Sequence, residues 1–189
     1  MATEKVLTPK FRVSFPAVFI PRSAMDGAEP KYSVVMLFPK TEDISKLKAI
    51  AKAAITEKWG DKIPKDLRSP FRDGDDKELD GYAGHIFITA SSKMKPGLVN
   101  GSREPIIDAG EFYAGCYARA TVNAYAYDRN GNKGVAFGLQ NIQKLAEGEP
   151  FSGRTKPEDD FDAVSGGDAA PAASTGAPAP AGKEKAFWD

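Results

Sequence analysis

Between residues 112 and 127 the chain alternates with a period of two that could carry chemistry. Odd positions read Tyr113, Gly115, Tyr117, Arg119, Thr121, Asn123, Tyr125 and Tyr127. Even positions read Ala114, Cys116, Ala118, Ala120, Val122, Ala124 and Ala126. A β-strand sends the two sets to opposite faces. One face is then small and apolar, and the other is a row of phenol rings with an arginine and hydrogen-bonding groups among them. Unstacked nucleobases lie flat on such rings, each stack being worth about 1–3 kcal/mol. The bland alternative is that the rings belong to a core or a subunit interface. Arg119 and Asn123 in register with them argue against a dry core. A nucleic-acid backbone would also need cations, and Lys10, Arg12, Lys93, Lys95, Arg103 and Lys133 are the candidates.

Catalytic chemistry is poorly represented. The sequence has no glycine-rich phosphate loop, nucleophile elbow or metalloprotease helix. One histidine, His85, and one cysteine, Cys116, exclude a two-histidine site, a Cys/His zinc knuckle and an internal disulfide. An acidic cluster, Asp73, Asp75, Asp76, Glu78 and Asp80, invites a metal reading. As a calcium loop started at Asp76 it places Phe87 where a bidentate glutamate is required, so the match fails. It reads as a solvated acidic loop, and His85 reads as structural. We expect no catalytic residue, no metal and no cofactor, and a binding protein rather than an enzyme.

The elements that would position the rings follow from pattern. Phe11–Phe19 alternates, with Phe11, Val13 and Phe15 on one side and Lys10, Arg12 and Ser14 on the other, which predicts a strand that Pro16 and Pro21 bend or end. Lys31–Phe38 predicts a second strand. A helix capped by Thr41 should run to about Trp59, burying Ile44, Leu47, Ile50, Ala51, Ala54 and Ile55, with Gly60 as its stop. Residues 61–84 read as a surface loop, Ile86–Ile88 as a third strand, and residues 93–110 as another loop. The alternating segment is the fourth strand. Asn130-Gly131 marks a hairpin into a fifth strand over Gly134–Gln143. Five strands with one helix between the second and third, and a small-residue inner face, predict a mainly β, five-stranded OB-fold-like barrel.

The 189 residues, 20.3 kDa, exceed one such barrel. Residues 1–154 are expected to form it, and residues 155–189 to form a disordered acidic tail rich in alanine and proline. The formal net charge of zero conceals +4 in the first part and −4 in the second. The tail holds Asp159 and Asp160 and ends in Phe187-Trp188-Asp189, which reads as a docking peptide for a partner. No apolar run approaches the roughly 20 residues needed to cross a bilayer, and no signal-peptide core opens the chain, so a soluble protein of a reducing cytosol is expected.

Several stretches resemble a family of phage single-stranded DNA-binding proteins. They are Gly115-Cys116-Tyr117-Ala118-Arg119-Ala120, Tyr125-Ala126-Tyr127, Gly131–Leu139 and Asn141-Ile142-Gln143-Lys144, with Thr8–Pro16 and Lys93-Met94-Lys95-Pro96-Gly97. The similarity covers about residues 5 to 152. It implies an OB-fold, sequence-independent binding of single-stranded DNA, and work in phage replication or recombination in the cytoplasm of an infected bacterium. The acidic end is similar in kind to the tails of other replication proteins, which implies replication partners. Self-association stays open, as does strand annealing against passive coating. The rivals are a structural or oligomeric interaction module of a phage, and a metal-dependent nuclease built on the acidic cluster.

Overall fold

The computed structural model describes residues 4–152; the expected tail, with Asp159, Asp160, Phe187, Trp188 and Asp189, lies outside the described residues. Within them lie eight strands and one α-helix: β1 (Val6–Leu7), β2 (Phe11–Arg22), β3 (Lys31–Pro39), α1 (Ser45–Trp59), β4 (Arg72–Asp73), β5 (His85–Ser92), β6 (Gly97–Val99), β7 (Tyr117–Arg129) and β8 (Asn132–Ala146). The five long strands close on themselves. β7 bonds β2 along one edge and β8 along the other. β2 bonds β3, β3 bonds β5, and β5 runs parallel to β8, which completes the ring. In chain order of the long strands the ring reads first, second, third, fifth, fourth, with the helix between second and third. That is the OB-type barrel expected.

The alternation of β7 is what lets the ring close. Ala118, Ala120, Val122 and Ala124 are all within 1% of full burial. Their small side chains leave room for Phe11, Phe38 and Phe137, which fill the barrel from β2, β3 and β8. The Phe11 and Phe38 rings meet edge to face at 5.7 Å. The hairpin turns as its Asn-Gly requires, with φ of +50° at Asn130 and +80° at Gly131.

Helix α1 begins three residues later than the Thr41 cap predicts. Its N-cap is Ile44, which has no side chain to offer, and the Asp43 carboxylate instead accepts the Ser45 N–H at 2.9 Å. The buried face is otherwise as read: Leu47, Ile50, Ala51 and Ala54 join the barrel core. Gly60 ends the helix at φ +55°, its N–H donating to the Thr56 carbonyl.

Two expectations fail for the same reason, namely contacts distant in sequence. Phe15 does not share the inner face of Phe11 and Val13. Between Ser14 and Ala17 three steps on β2 oppose two on β3, a bulge that reverses the alternation. Phe15 sits in that bulge at φ +41° and is 58% exposed. Nor is 61–84 only a surface loop. It contributes β4 and a buried Tyr82, which with Leu37 and Phe87 forms a second small core on the outer side of β3 and β5. The Tyr82 hydroxyl lies 2.9 Å from that of Ser14, so a serine expected on an open face is buried.

Candidate nucleic-acid interface

Outward from β7 point Tyr117, Arg119, Thr121, Asn123, Tyr125 and Tyr127, every one half-buried rather than sealed in the core. They form a line and not one platform, because Tyr117 and Tyr125 stand eight residues apart, about 26 Å along a strand. Opposite the far end of the line β8 presents almost nothing. Asn123 faces Gly138, Tyr125 faces Ala136 and Tyr127 faces Gly134. A Cβ on Gly134 would meet the Tyr127 hydroxyl at 2.7 Å, so that ring lies across β8. The small residues thus make room for β7 side chains to lie across β8, Tyr127 over Gly134 and Asn123 over Gly138.

At the near end the cations are organised by aromatic faces. Lys10 lies 5.4 Å from the centre of the Tyr117 ring and the Arg12 guanidinium 5.9 Å from it. Arg12 donates to the Gly115 carbonyl at 3.2 Å and the Glu149 carbonyl at 2.7 Å, and its plane sits 4.2 Å above Phe151. Tyr113 stands apart from the line. β7 begins only at Tyr117, and the Tyr113 hydroxyl is held by the Glu147 carboxylate and, at 2.9 Å, the Gly148 carbonyl.

In the middle, Arg119 donates to Gln143 at 2.9 Å, and Gln143 donates in turn to the Asn100 and Gly101 carbonyls. Arg119 and Arg103, 16 residues apart in sequence, line one shallow cleft with Thr121, Asn141 and Leu7, of about 190 Å³. Asn123 accepts a bond from Gln140 at 3.2 Å. At the far end Lys133 stands 3.9 Å from Asp128.

Lys93 and Lys95 are not beside Lys10 and Arg12. Lys93, in the segment between Ser91, paired with Gly138, and Gly97, paired with Asn141, makes an ion pair at 2.8 Å with Glu29. Lys95 lies 5.8 Å over the Phe19 ring. Sequence reasoning missed Phe15, Arg129 and Phe151, as well as the Gly134, Ala136 and Gly138 row. Only that row had a visible signal, in its own period of two.

Two members of the acidic cluster, Asp73 and Asp75, are held by partners of their own. Lys40 bridges Asp73 and Asp75, and Asp75 also accepts the Gly84 N–H at 2.6 Å. The Lys40 ammonium and the Asp75 N–H hold the Asp73 carboxyl below its ordinary range; the Gly84 N–H and then Lys40 do the same for Asp75. Among the described residues no group of three or more His, Cys, Asp or Glu could hold a metal ion. His85 is tied through Nδ1 to the Ala83 carbonyl at 2.8 Å. Cys116 is fully buried, and that burial pushes its thiol pKa up. Among the described residues no helix is long and apolar enough to cross a membrane.

Residues 4–170 match the family model described as Enterobacter phage Enc34, ssDNA-binding protein. The chain is 37% identical over 161 residues to the protein p50 of Acyrthosiphon pisum secondary endosymbiont phage 1, covering 79% of this chain and 87% of that one. Among solved structures it is similar to the single-stranded DNA-binding protein from bacteriophage Enc34 in complex with ssDNA, with a TM-score of 0.68 and 25% identity, over 78% of this chain and 89% of that one. The fold is shared more distantly by gp2.5, a single-stranded DNA-binding protein encoded by bacteriophage T7, with a TM-score of 0.53 and 14% identity, over 89% of this chain and 99% of that one. The chain belongs to the Enc34 ssDNA-binding family.

Proposed function

We propose that this chain binds single-stranded DNA without sequence preference, as a replication or recombination protein in the cytoplasm of a phage-infected bacterium. The observation that carries the reading is the outward line of rings on β7, set over a floor of glycine and alanine on β8 and flanked by cations at both ends. Bases stack on Tyr117, Tyr125 and Tyr127, and Arg119 and Asn123 offer polar contacts between them. Phosphates run past Lys10, Arg12, Lys93, Lys95, Arg103 and Lys133. Each base has a π-face, so stacking tolerates any sequence, while phosphate contacts make affinity fall with salt. The protein holds its substrate and does not transform it.

The acidic segment 155–189 regulates that binding. It is tethered to the basic barrel at an effective concentration near the millimolar range, so it competes with DNA for the same cations. DNA displaces it and frees Phe187 and Trp188 for replication partners. Fluorescence anisotropy of a labelled strand of about thirty bases, within the known range of site sizes for a few barrels, tests both statements. The full chain should bind the strand, and a chain ended after Arg154 should bind it more tightly at low salt. A full chain that leaves the strand free would refute the binding, and a truncation that weakens it or changes nothing would refute the competition.

A further inference from the structure

The bulge in β2 builds a second feature that the tyrosine line does not use. Phe15 occupies a left-handed backbone region, φ +41°, where glycine is the ordinary occupant and a bulky side chain is an outlier. The following Pro16 restricts it further. Folding alone gives little reason to keep phenylalanine here, since the ring is 58% exposed. The ring stands at a cleft of about 470 Å³ that Tyr82, Phe151, Pro16, Arg22 and Asp80 also line. Strained residues that point outward concentrate at binding sites.

We propose that this cleft is a nucleobase pocket, in which one base of a bound single strand stacks on Phe15. The inference rests on the reading of this chain as a single-strand binder. The cleft is continuous with the tyrosine line, because the Arg12 guanidinium lies between Tyr117, at 5.9 Å, and Phe151, at 4.2 Å. A strand leaving Tyr117 passes over that guanidinium, which takes a phosphate, and the next base reaches the cleft. Its walls suit a flat heterocycle. Phe15 offers a π-face, Phe151 forms an apolar wall with the Arg12 guanidinium over its ring, and the Tyr82 ring is fixed by its hydroxyl contact with Ser14. Asp80 turns phosphate away and can accept from a base N–H, whereas Arg22 at the same cleft serves the backbone. The volume is that of an ordinary small-ligand site.

The test is Phe15→Gly, which removes the ring and allows the backbone its φ. The probes are oligo-dT and a strand of the same length with abasic sites, read by anisotropy. The wild type should bind oligo-dT, and F15G should bind it about five- to one-hundred-fold more weakly, the loss of one stacked base. Its unfolding midpoint should not fall below the wild type's. On the abasic strand the two proteins should bind alike. Phe15→Trp should keep the affinity, and its added indole emission should be quenched by oligo-dT. Equal oligo-dT affinity for F15G and wild type would overturn the pocket while leaving the wider reading standing. So would an equal loss on the abasic strand, or a variant whose only change is that ending the chain after Arg154 no longer matters, which would give the cleft to the tail. A wild type that binds no strand would overturn both.

Discussion

Replacing Tyr117 and Tyr125 by alanine, singly and together, probes the line of rings most sharply. About 26 Å of strand separates them, well beyond the 7–10 Å within which substitutions usually couple. Each lost stack should cost about 1–3 kcal/mol, a weakening of about five- to one-hundred-fold, and the two factors should multiply. The surroundings set an order. The Tyr117 ring also receives Lys10 at 5.4 Å, so removing it releases that cation as well as a platform, while Arg12 stays on the Gly115 and Glu149 carbonyls. Tyr125 faces only Ala136 across the ladder, so its loss should leave the unfolding midpoint nearly unchanged. Tyr125→Phe should bind as wild type, because the face of the ring and not its hydroxyl is used. The assay is anisotropy of labelled oligo-dT across a salt series. Affinity unchanged in the double variant, or single losses that do not multiply, would refute a strand running the length of β7.

Two further outcomes follow from the charges. Glu29→Gln releases Lys93 from its 2.8 Å pair and should tighten DNA binding by up to about fivefold at low salt, a gain that fades as salt screens it. The second concerns acid. Asp73 and Asp75 titrate below their ordinary range in the folded state because of Lys40 and backbone N–H groups, so their contribution is full above that range and is lost as pH falls through the folded values. The protection of amides over residues 72–84, taken relative to their intrinsic exchange rate at each pH, should therefore fall below about pH 4, and Asp73→Asn should blunt the effect.

The barrel was largely legible because its decisive signals are local. The period of two in β7, the Asn-Gly turn and the spacing of Leu47, Ile50, Ala51 and Ala54 each depend on a few neighbouring residues. What could not be read depends on pairing across the chain. The bulge at Phe15 exists only relative to β3, and a strict alternation therefore put that ring inside. Tyr82 is buried by β3 and β5, some forty-five residues away in the case of Leu37, although its own segment is charged and reads as loop. The same holds for the site. Residue types alone chose Tyr117, Arg119 and Tyr125 correctly as outward-facing, yet gave no position for Lys93, which pairs with Glu29 in the segment before β3. Tyr113 kept the parity of the row but not its place, because Gly115, at φ +118°, breaks the strand before Tyr117.

Photocrosslinking of an iodouracil-substituted single strand to the full chain, with the attached peptides mapped by mass spectrometry, reads the path of the bases directly. Attachment at Tyr117, Tyr125 and Tyr127 is the expected result. Attachment confined to α1 or to residues 61–70, with the outer face of β7 unmarked, would contradict it.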